Sequence, residues 1–385
     1  MPLATMRPLY ASCLLLTAVA ACTDTSTSSG DNASSSGSGS NGGLDAGRVD
    51  AGRSGSSSGR PDAGGGVTTN TITGRMLAPS GTFGIFEGRV WVEWEENGET
   101  IRRQSSTRYD GKYTLNRVPV GDLVVHAERG HYAGTTNVTM PSTTAQLMDI
   151  DVMVSPGAAR FVVVEGIFDD IGAIVDDLGL PTVWVSGGGF TGSQWLDTVA
   201  NATYLQDKTA VMLNCGMSND IFDRTDLATR RQALLDFVAA GHSLYISDWA
   251  YDVMEWLHPE VLDFFGDDLM PDSAQSGDAE NVLGTIGDAT LEKLVGRTVT
   301  ITYDLPDWAV ITGLQTDADG GTLSANPVEV LVRGTVHVNG QEYYDVPLAV
   351  RLRVGEGSII YTTFHNESQL DDTMLSILRY MVLRL

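Results

Sequence analysis

The apolar pattern of the chain changes period near Arg160, and that change constrains what it can fold into. Before it, apolar and polar residues alternate. In Arg89–Trp94, Val90, Val92 and Trp94 fall on one face and Trp91 on the other, as in a half-buried strand. Asn97-Gly98 and Asp110-Gly111 are hairpin signals, because these residues tolerate positive φ. Further short strands are expected at Thr71–Arg75, Thr100–Thr107, Lys112–Leu115 and Leu123–Ala127. Several short strands with regular turns predict a small all-β sandwich over residues 68–155.

After Arg160 the signal is different. Phe161–Val164 is continuously apolar, as expected for a strand covered on both faces. Ile171, Ile174, Val175 and Leu178 then follow helical spacing, with Gly179 as a stop. Strands are expected at Pro181–Ser186, Ala210–Asn214 and Ser243–Ser247. An amphipathic helix is expected at Thr225–Ala240, with Leu227, Leu234, Phe237 and Val238 inward. Alternation of strand and helix predicts a parallel sheet with right-handed crossovers, hence an α/β domain over residues 158–385. Thr298–Tyr303, Val328–Arg333, Val346–Val354 and Ser358–Thr363 read as later strands, and Thr373–Leu385 as a closing helix. Ser155-Pro156-Gly157 links the two parts, and residues 265–345 read as an insertion.

Residues 22–67 carry almost nothing apolar and are dominated by Ser, Gly, Asn, Asp and Ala. Such a stretch buries too little surface to offset its chain entropy and reads as a disordered tether. The net charge of -25 argues against nucleic acid, whose phosphates must be met by Lys and Arg. It also argues against adsorption to an anionic lipid surface, so membrane attachment needs another device.

That device is at the front. Arg7 precedes an apolar run from Leu9 to Ala21, too short to span a bilayer, and Val19-Ala20-Ala21-Cys22 closes it. The order of charge, apolar core and cysteine resembles a bacterial lipoprotein signal. The resemblance implies that residues 1–21 are a signal peptide and that Cys22 is the lipidated first residue of the mature protein. It implies a lipid-anchored protein of the cell envelope. Thr23 after the anchor gives no acidic retention cue, which favours the outer membrane. Of three cysteines, Cys13 leaves with the signal and Cys22 carries lipid; Cys215 remains, so no intrachain disulfide forms, and it is expected to be buried and inert.

Asp110-Gly111-Lys112-Tyr113-Thr114-Leu115, Val118-Pro119-Val120-Gly121, Val124-Val125-His126-Ala127 and Gly130-His131-Tyr132 form a run with a recognisable turn pattern. It resembles the carboxypeptidase regulatory-like domain, a transthyretin-type sandwich, with Asp149–Val152 similar to that family's closing strand. Such domains are non-catalytic accessories. His126 and His131 are poorly spaced for a metal and read as strand and turn residues.

A second resemblance rests on Ala239–Ala250 and Gly357–Glu367. Both segments are similar to the class I glutamine amidotransferase-like fold, a flavodoxin-like α/β sandwich. The resemblance implies His365 as base and Glu367 as its orienting partner, with Gly216 near an oxyanion donor. The family's nucleophilic cysteine is absent: Ser247-Asp248-Trp249-Ala250 stand at that place, with Ile246 and Trp249 fitting a sharp elbow poorly. Cys215 is on another strand. Glutamine hydrolysis through a thioester is therefore not expected.

Three readings follow. In the preferred one the site is degenerate and the protein binds or scaffolds at the envelope, with an envelope protein or glycan as ligand, no cofactor and no metal. Gly216, Trp249 and Gly188 are then candidate binding residues. Trp249, Trp256 and Trp195 are core residues or sugar-stacking platforms, and Gly187-Gly188-Gly189 is not a phosphate loop. In the second, Ser247 is a nucleophile with His365 and Glu367. In the third, Asp248 with His365, and Asp252 or Glu255, makes a metal or acid–base site.

Overall fold

The computed structural model describes residues 70–385 apart from 142–146, 158, 189–193, 218–223, 267–273, 307, 317–318, 320 and 370. The signal segment, Cys22 and the tether lie outside the described residues. So does Gly189.

The first part is a β-sandwich. Its strands are β1 (Asn70–Leu77), β2 (Arg89–Glu96), β3 (Glu99–Ser106), β4 (Lys112–Val118), β5 (Gly121–Arg129), β6 (Tyr132–Met140), β7 (Leu147–Asp149) and β8 (Val152–Met153). One sheet runs β4-β1-β7, with β8 also on β1; the other runs β3-β2-β5-β6. Asn97 and Gly98 both adopt positive φ, 55° and 81°, and join β2 to β3. Val90 and Val92 are buried while Arg89 and Glu93 are exposed, as the alternation requires.

The second part comprises β9 (Phe161–Val164), α1 (Ile171–Asp177), β10 (Thr182–Val185), α2 (Gln194–Val199), α3 (Ala202–Leu205), β11 (Ala210–Leu213), α4 (Leu227–Ala239), β12 (Ser243–Ser247) and α5 (Tyr251–Leu257). It continues with β13 (Leu262–Phe264), β14 (Glu280–Ile286), α6 (Ala289–Val295), β15 (Thr298–Tyr303), β16 (Ile311–Leu314), β17 (Val328–Val338), β18 (Gln341–Val354), β19 (Gly357–Thr362) and α7 (Asp372–Arg384). Nine strands form one sheet in the order β10-β9-β11-β12-β19-β18-β17-β14-β15. The first five are parallel and the remaining four are antiparallel.

This corrects the expectation of a flavodoxin-like, amidotransferase-like α/β fold. Among the described residues strand outweighs helix, 45% to 21%, and the large sheet is mixed. The physical reason lies in residues 265–354. The strands expected here, Thr298–Tyr303, Val328–Arg333 and Val346–Val354, do not stand apart as an insertion: β18 pairs with β19, β17 with β18, β14 with β17 and β15 with β14. Long antiparallel hairpins extend the sheet where helical crossovers would have closed it.

Of the parallel strands, β9, β11, β12 and β19 are buried on both faces, and the edge strand β10 is half-exposed. Phe161, Val163, Ala210, Met212, Tyr245 and Ile360 share a core with α1, α7 and the sandwich. Val162, Val164, Val211, Leu213, Leu244, Ile246 and Tyr361 face α2, α4 and α5. The first of these cores is continuous from the sandwich into the large sheet. Phe86 stacks on Tyr380 at 4.4 Å, and Arg129 donates to the Leu383 carbonyl at 2.6 Å. No helix among the described residues is long and apolar enough to cross a membrane.

Candidate functional site

Register brings the site together. Leu213, Ile246 and Tyr361 lie side by side on β11, β12 and β19. Two residues beyond Leu213 is Cys215; two beyond Ile246 is Asp248; four beyond Tyr361 is His365. All three sit past the carboxyl ends of parallel strands, where α/β sheets leave a crevice.

Asp248 is fully buried and has φ 43°. Six described non-glycine residues have positive φ: Glu87, Asn97, Arg117, Asp248, Asn339 and Asp345. The other five are exposed, so among the described non-glycine residues Asp248 alone holds this conformation at a buried position. A carboxylate there must be held by its surroundings. Its Oδ1 accepts from the Ala309 backbone N–H at 2.7 Å, and its own carbonyl accepts from the Tyr361 hydroxyl at 2.9 Å. The sharp turn that the flanking Ile246 and Trp249 argued against is therefore made, with Asp248 at its apex.

His365 is buried, and its Nε2 lies 2.6 Å from Asp248 Oδ2. Burial pushes the Asp248 carboxyl up, against the pull of His365. Burial acts to lower the imidazole, but the Asp248 hydrogen bond and charge outweigh it and raise His365. Together they share one proton in a buried site. Cys215 Sγ is 3.2 Å from the same Nε2 and donates to Asp248 Oδ2 at 3.4 Å. Burial first, then the Asp248 charge, hold its thiol protonated, while the Trp249 backbone N–H pulls the other way. Gly216, with φ 81°, makes the turn after Cys215. An added Cβ there would stand 2.8 Å from the Ile167 nitrogen. Phe168, next along, stacks over the His365 ring at 6.4 Å.

Ser247 is buried and faces elsewhere: its hydroxyl donates to Asp169 Oδ2. Asp169 also accepts from the backbone of Asp170 at 3.0 Å and of Asn366 at 2.8 Å. Desolvation raises its carboxyl to about 6 despite these bonds.

Glu367 is exposed, so the partner of the imidazole is Asp248. The reason is local: the chain turns at His365, whose carbonyl is held by Gln369 Nε2 at 3.0 Å, and Glu367 swings outward. Asp252 and Glu255 are buried on α5, outside the Cys215–Asp248–His365 cluster. Trp195 is buried, and Trp249 and Trp256 are half-buried against the core, Trp249 edge-on to Tyr251 at 5.5 Å. Gly188 is exposed past β10, with φ 77°. Cys215 is the residue whose part sequence reasoning missed. The signal was its place two residues past a strand end, in step with Asp248.

No protein-family model and no curated protein matches the chain. Solved structures similar to parts of it include a DUF3823 family protein from Parabacteroides merdae. That likeness has a TM-score of 0.20 and 9% identity over 23% of this chain, which spans 47% of the other's length. A cytoplasmic protein from Salmonella typhimurium LT2 aligns with TM-score 0.36 and 12% identity, over 58% of this chain and 98% of that one. A β-galactosidase from Bacillus circulans aligns with TM-score 0.32 and 14% identity, over 59% of this chain and 30% of that one.

Proposed function

We propose that this is a lipid-anchored cell-envelope protein that binds an envelope protein or glycan without cleaving it. The lipid would sit on Cys22, and residues 22–67 would hold the folded part away from the bilayer. At ~5–6 Å × √n, a tether of this length reaches some tens of Å. The observation that supports binding over hydrolysis is the pairing of Ser247. Its hydroxyl is engaged by Asp169, while His365 Nε2 is taken up by Asp248. A serine nucleophile needs its own hydroxyl against the imidazole, within about 2.6–3.2 Å.

A second reading, acid–base chemistry by Asp248 with His365, is favoured by one observation, the buried positive φ of Asp248. Two experiments test the proposal. Cys22→Ala should abolish fatty-acid labelling and release the protein to the soluble fraction; unchanged labelling would sink the anchor. A hydrolase screen should show no turnover. Turnover lost in both Ser247→Ala and His365→Ala would replace binding with serine hydrolysis, and turnover lost in Asp248→Asn and His365→Ala alone would establish the second reading.

A further inference from the structure

We propose that Cys215, Asp248 and His365 form a binding site for one divalent transition-metal ion of the zinc class. The three side chains offer sulfur, oxygen and nitrogen, and their ligand atoms all lie within 4.8 Å of one another. The decisive feature is which ring nitrogen they meet. Cys215 Sγ and Asp248 Oδ2 both face His365 Nε2, at 3.2 Å and 2.6 Å. In a nucleophile–base–acid relay the carboxylate holds one imidazole nitrogen and the nucleophile the other. Here both converge on the same nitrogen, so the arrangement is no relay. It directs three lone-pair donors at one point.

The distances suit an ion replacing a proton. Tetrahedral bonds of about 2.3 Å to sulfur and about 2.0–2.2 Å to nitrogen and oxygen place the donors about 3.3–3.6 Å apart. The sulfur contacts, 3.2 Å and 3.4 Å, are nearly there already. The 2.6 Å contact is a hydrogen bond and must open by under about 1 Å. The charge also closes. A thiolate, a carboxylate and a neutral imidazole against a dication carry no net charge, which a buried site favours. Binding would release two protons to solvent, one from the thiol and one shared by Asp248 and His365. The mixed donor set disfavours calcium and magnesium, which need oxygen shells.

Outer contacts hold the donors as a metal site requires. Ala309 N–H occupies Asp248 Oδ1 and leaves Oδ2 to the cluster. The Trp249 N–H favours thiolate on Cys215. Three protein ligands leave a fourth coordination position open.

The test uses the full chain, stripped with chelator and titrated with Co²⁺. One equivalent should produce a sulfur-to-cobalt charge-transfer band and intense tetrahedral visible bands, both displaced by Zn²⁺. Cys215→Ser should lose the charge-transfer band, and affinity should fall at least about tenfold, since outer-shell changes alone cost that much. Asp248→Asn and His365→Gln should weaken binding comparably. Zn²⁺ should raise the unfolding midpoint of the natural chain and not of any folded variant, which covers the case where one variant fails to fold. No charge-transfer band, or a band that survives Cys215→Ser, overturns the proposal.

Discussion

Ser247 and Asp248 are adjacent in sequence, yet their side chains serve different partners: the serine hydroxyl donates to Asp169, and the carboxylate meets His365 at 2.6 Å. Strand alternation sends consecutive residues to opposite faces, and the positive φ of Asp248 turns it further, toward β19. One step along the chain thus separates a buried polar anchor from a buried ion pair.

The pair gives the first prediction. His365→Ala leaves Asp248 fully buried with only the Ala309 N–H and the weak Cys215 thiol as donors, and should cost roughly 3–5 kcal/mol in urea unfolding with chelator present. Asp248→Asn is milder. Its oxygen still accepts from Ala309 and its amide can donate to a neutral His365, so the loss should be on the order of 1–2 kcal/mol. Equal losses from both changes would mean that the charge on Asp248 matters beyond its hydrogen bonds.

Much of the local structure was legible. Ser243–Ser247 and Thr298–Tyr303 are strands with the expected limits, because continuous apolar runs and β-branched alternation leave little choice. The Asn97-Gly98 hairpin follows from two residues that accept positive φ. The helix expected at Thr373–Leu385 is Asp372–Arg384, capped by Asp371 on the Met374 N–H at 2.8 Å. The global pairing was not legible. Nothing in the apolar pattern of Val328–Val338 or Gln341–Val354 says that they continue β19, because edge pairing is decided by backbone hydrogen bonds between distant segments. The site was half legible for the same reason. His365 and Asp248 were singled out by their positions in the two segments Ala239–Ala250 and Gly357–Glu367, whereas Cys215 needed the register of β11 against β12.

Asp169 predicts a pH dependence. In the unfolded chain an aspartate holds its proton only below about 4. Folded, Asp169 holds it to about 6. Between those values the folded state carries the extra proton, so stability falls as pH rises through that window, by on the order of 3 kcal/mol from this group. Asp169→Asn keeps an acceptor for the Asp170 and Asn366 N–H groups and a donor for Ser247. That variant should lose this slope between pH 4 and pH 6 and match or exceed the natural chain above it. A slope unchanged in Asp169→Asn would assign the effect to another group.

Gly166 predicts a steric limit. A Cβ there would stand 2.1 Å from the Cys215 carbonyl oxygen and 2.7 Å from Asn214 Cβ. Both obstacles belong to the β11 turn, so neither can rotate away. Gly166→Ala should destabilise by roughly 1–3 kcal/mol, as overpacking does. It should also make Cys215 more reactive toward a thiol reagent in the folded protein. Unchanged stability and reactivity would show that the turn moves freely.

Phe86 and Tyr380 predict cooperative unfolding. Phe86 belongs to the sandwich and Tyr380 to the last helix, and the rings stack at 4.4 Å with 22° between their planes. Both are buried, and Arg129 and Arg384 lie over the Phe86 ring at 4.1 Å and 5.8 Å. Arg384 also pairs with Glu87. Removing Phe86 would leave a cavity bounded by both parts, and Phe86→Ala should cost roughly 3–5 kcal/mol. Because one apolar cluster runs through both, urea should unfold residues 70–385 in a single transition, with fluorescence and far-ultraviolet circular dichroism coinciding. Trp91 and Trp94 report on the sandwich, and Trp195 and Trp308 on the large sheet. Replacing Trp91 and Trp94 by Phe should therefore leave the fluorescence midpoint where the dichroism places it. Two separated midpoints would mean that the sandwich melts alone and that the Phe86–Tyr380 contact does not couple the two parts.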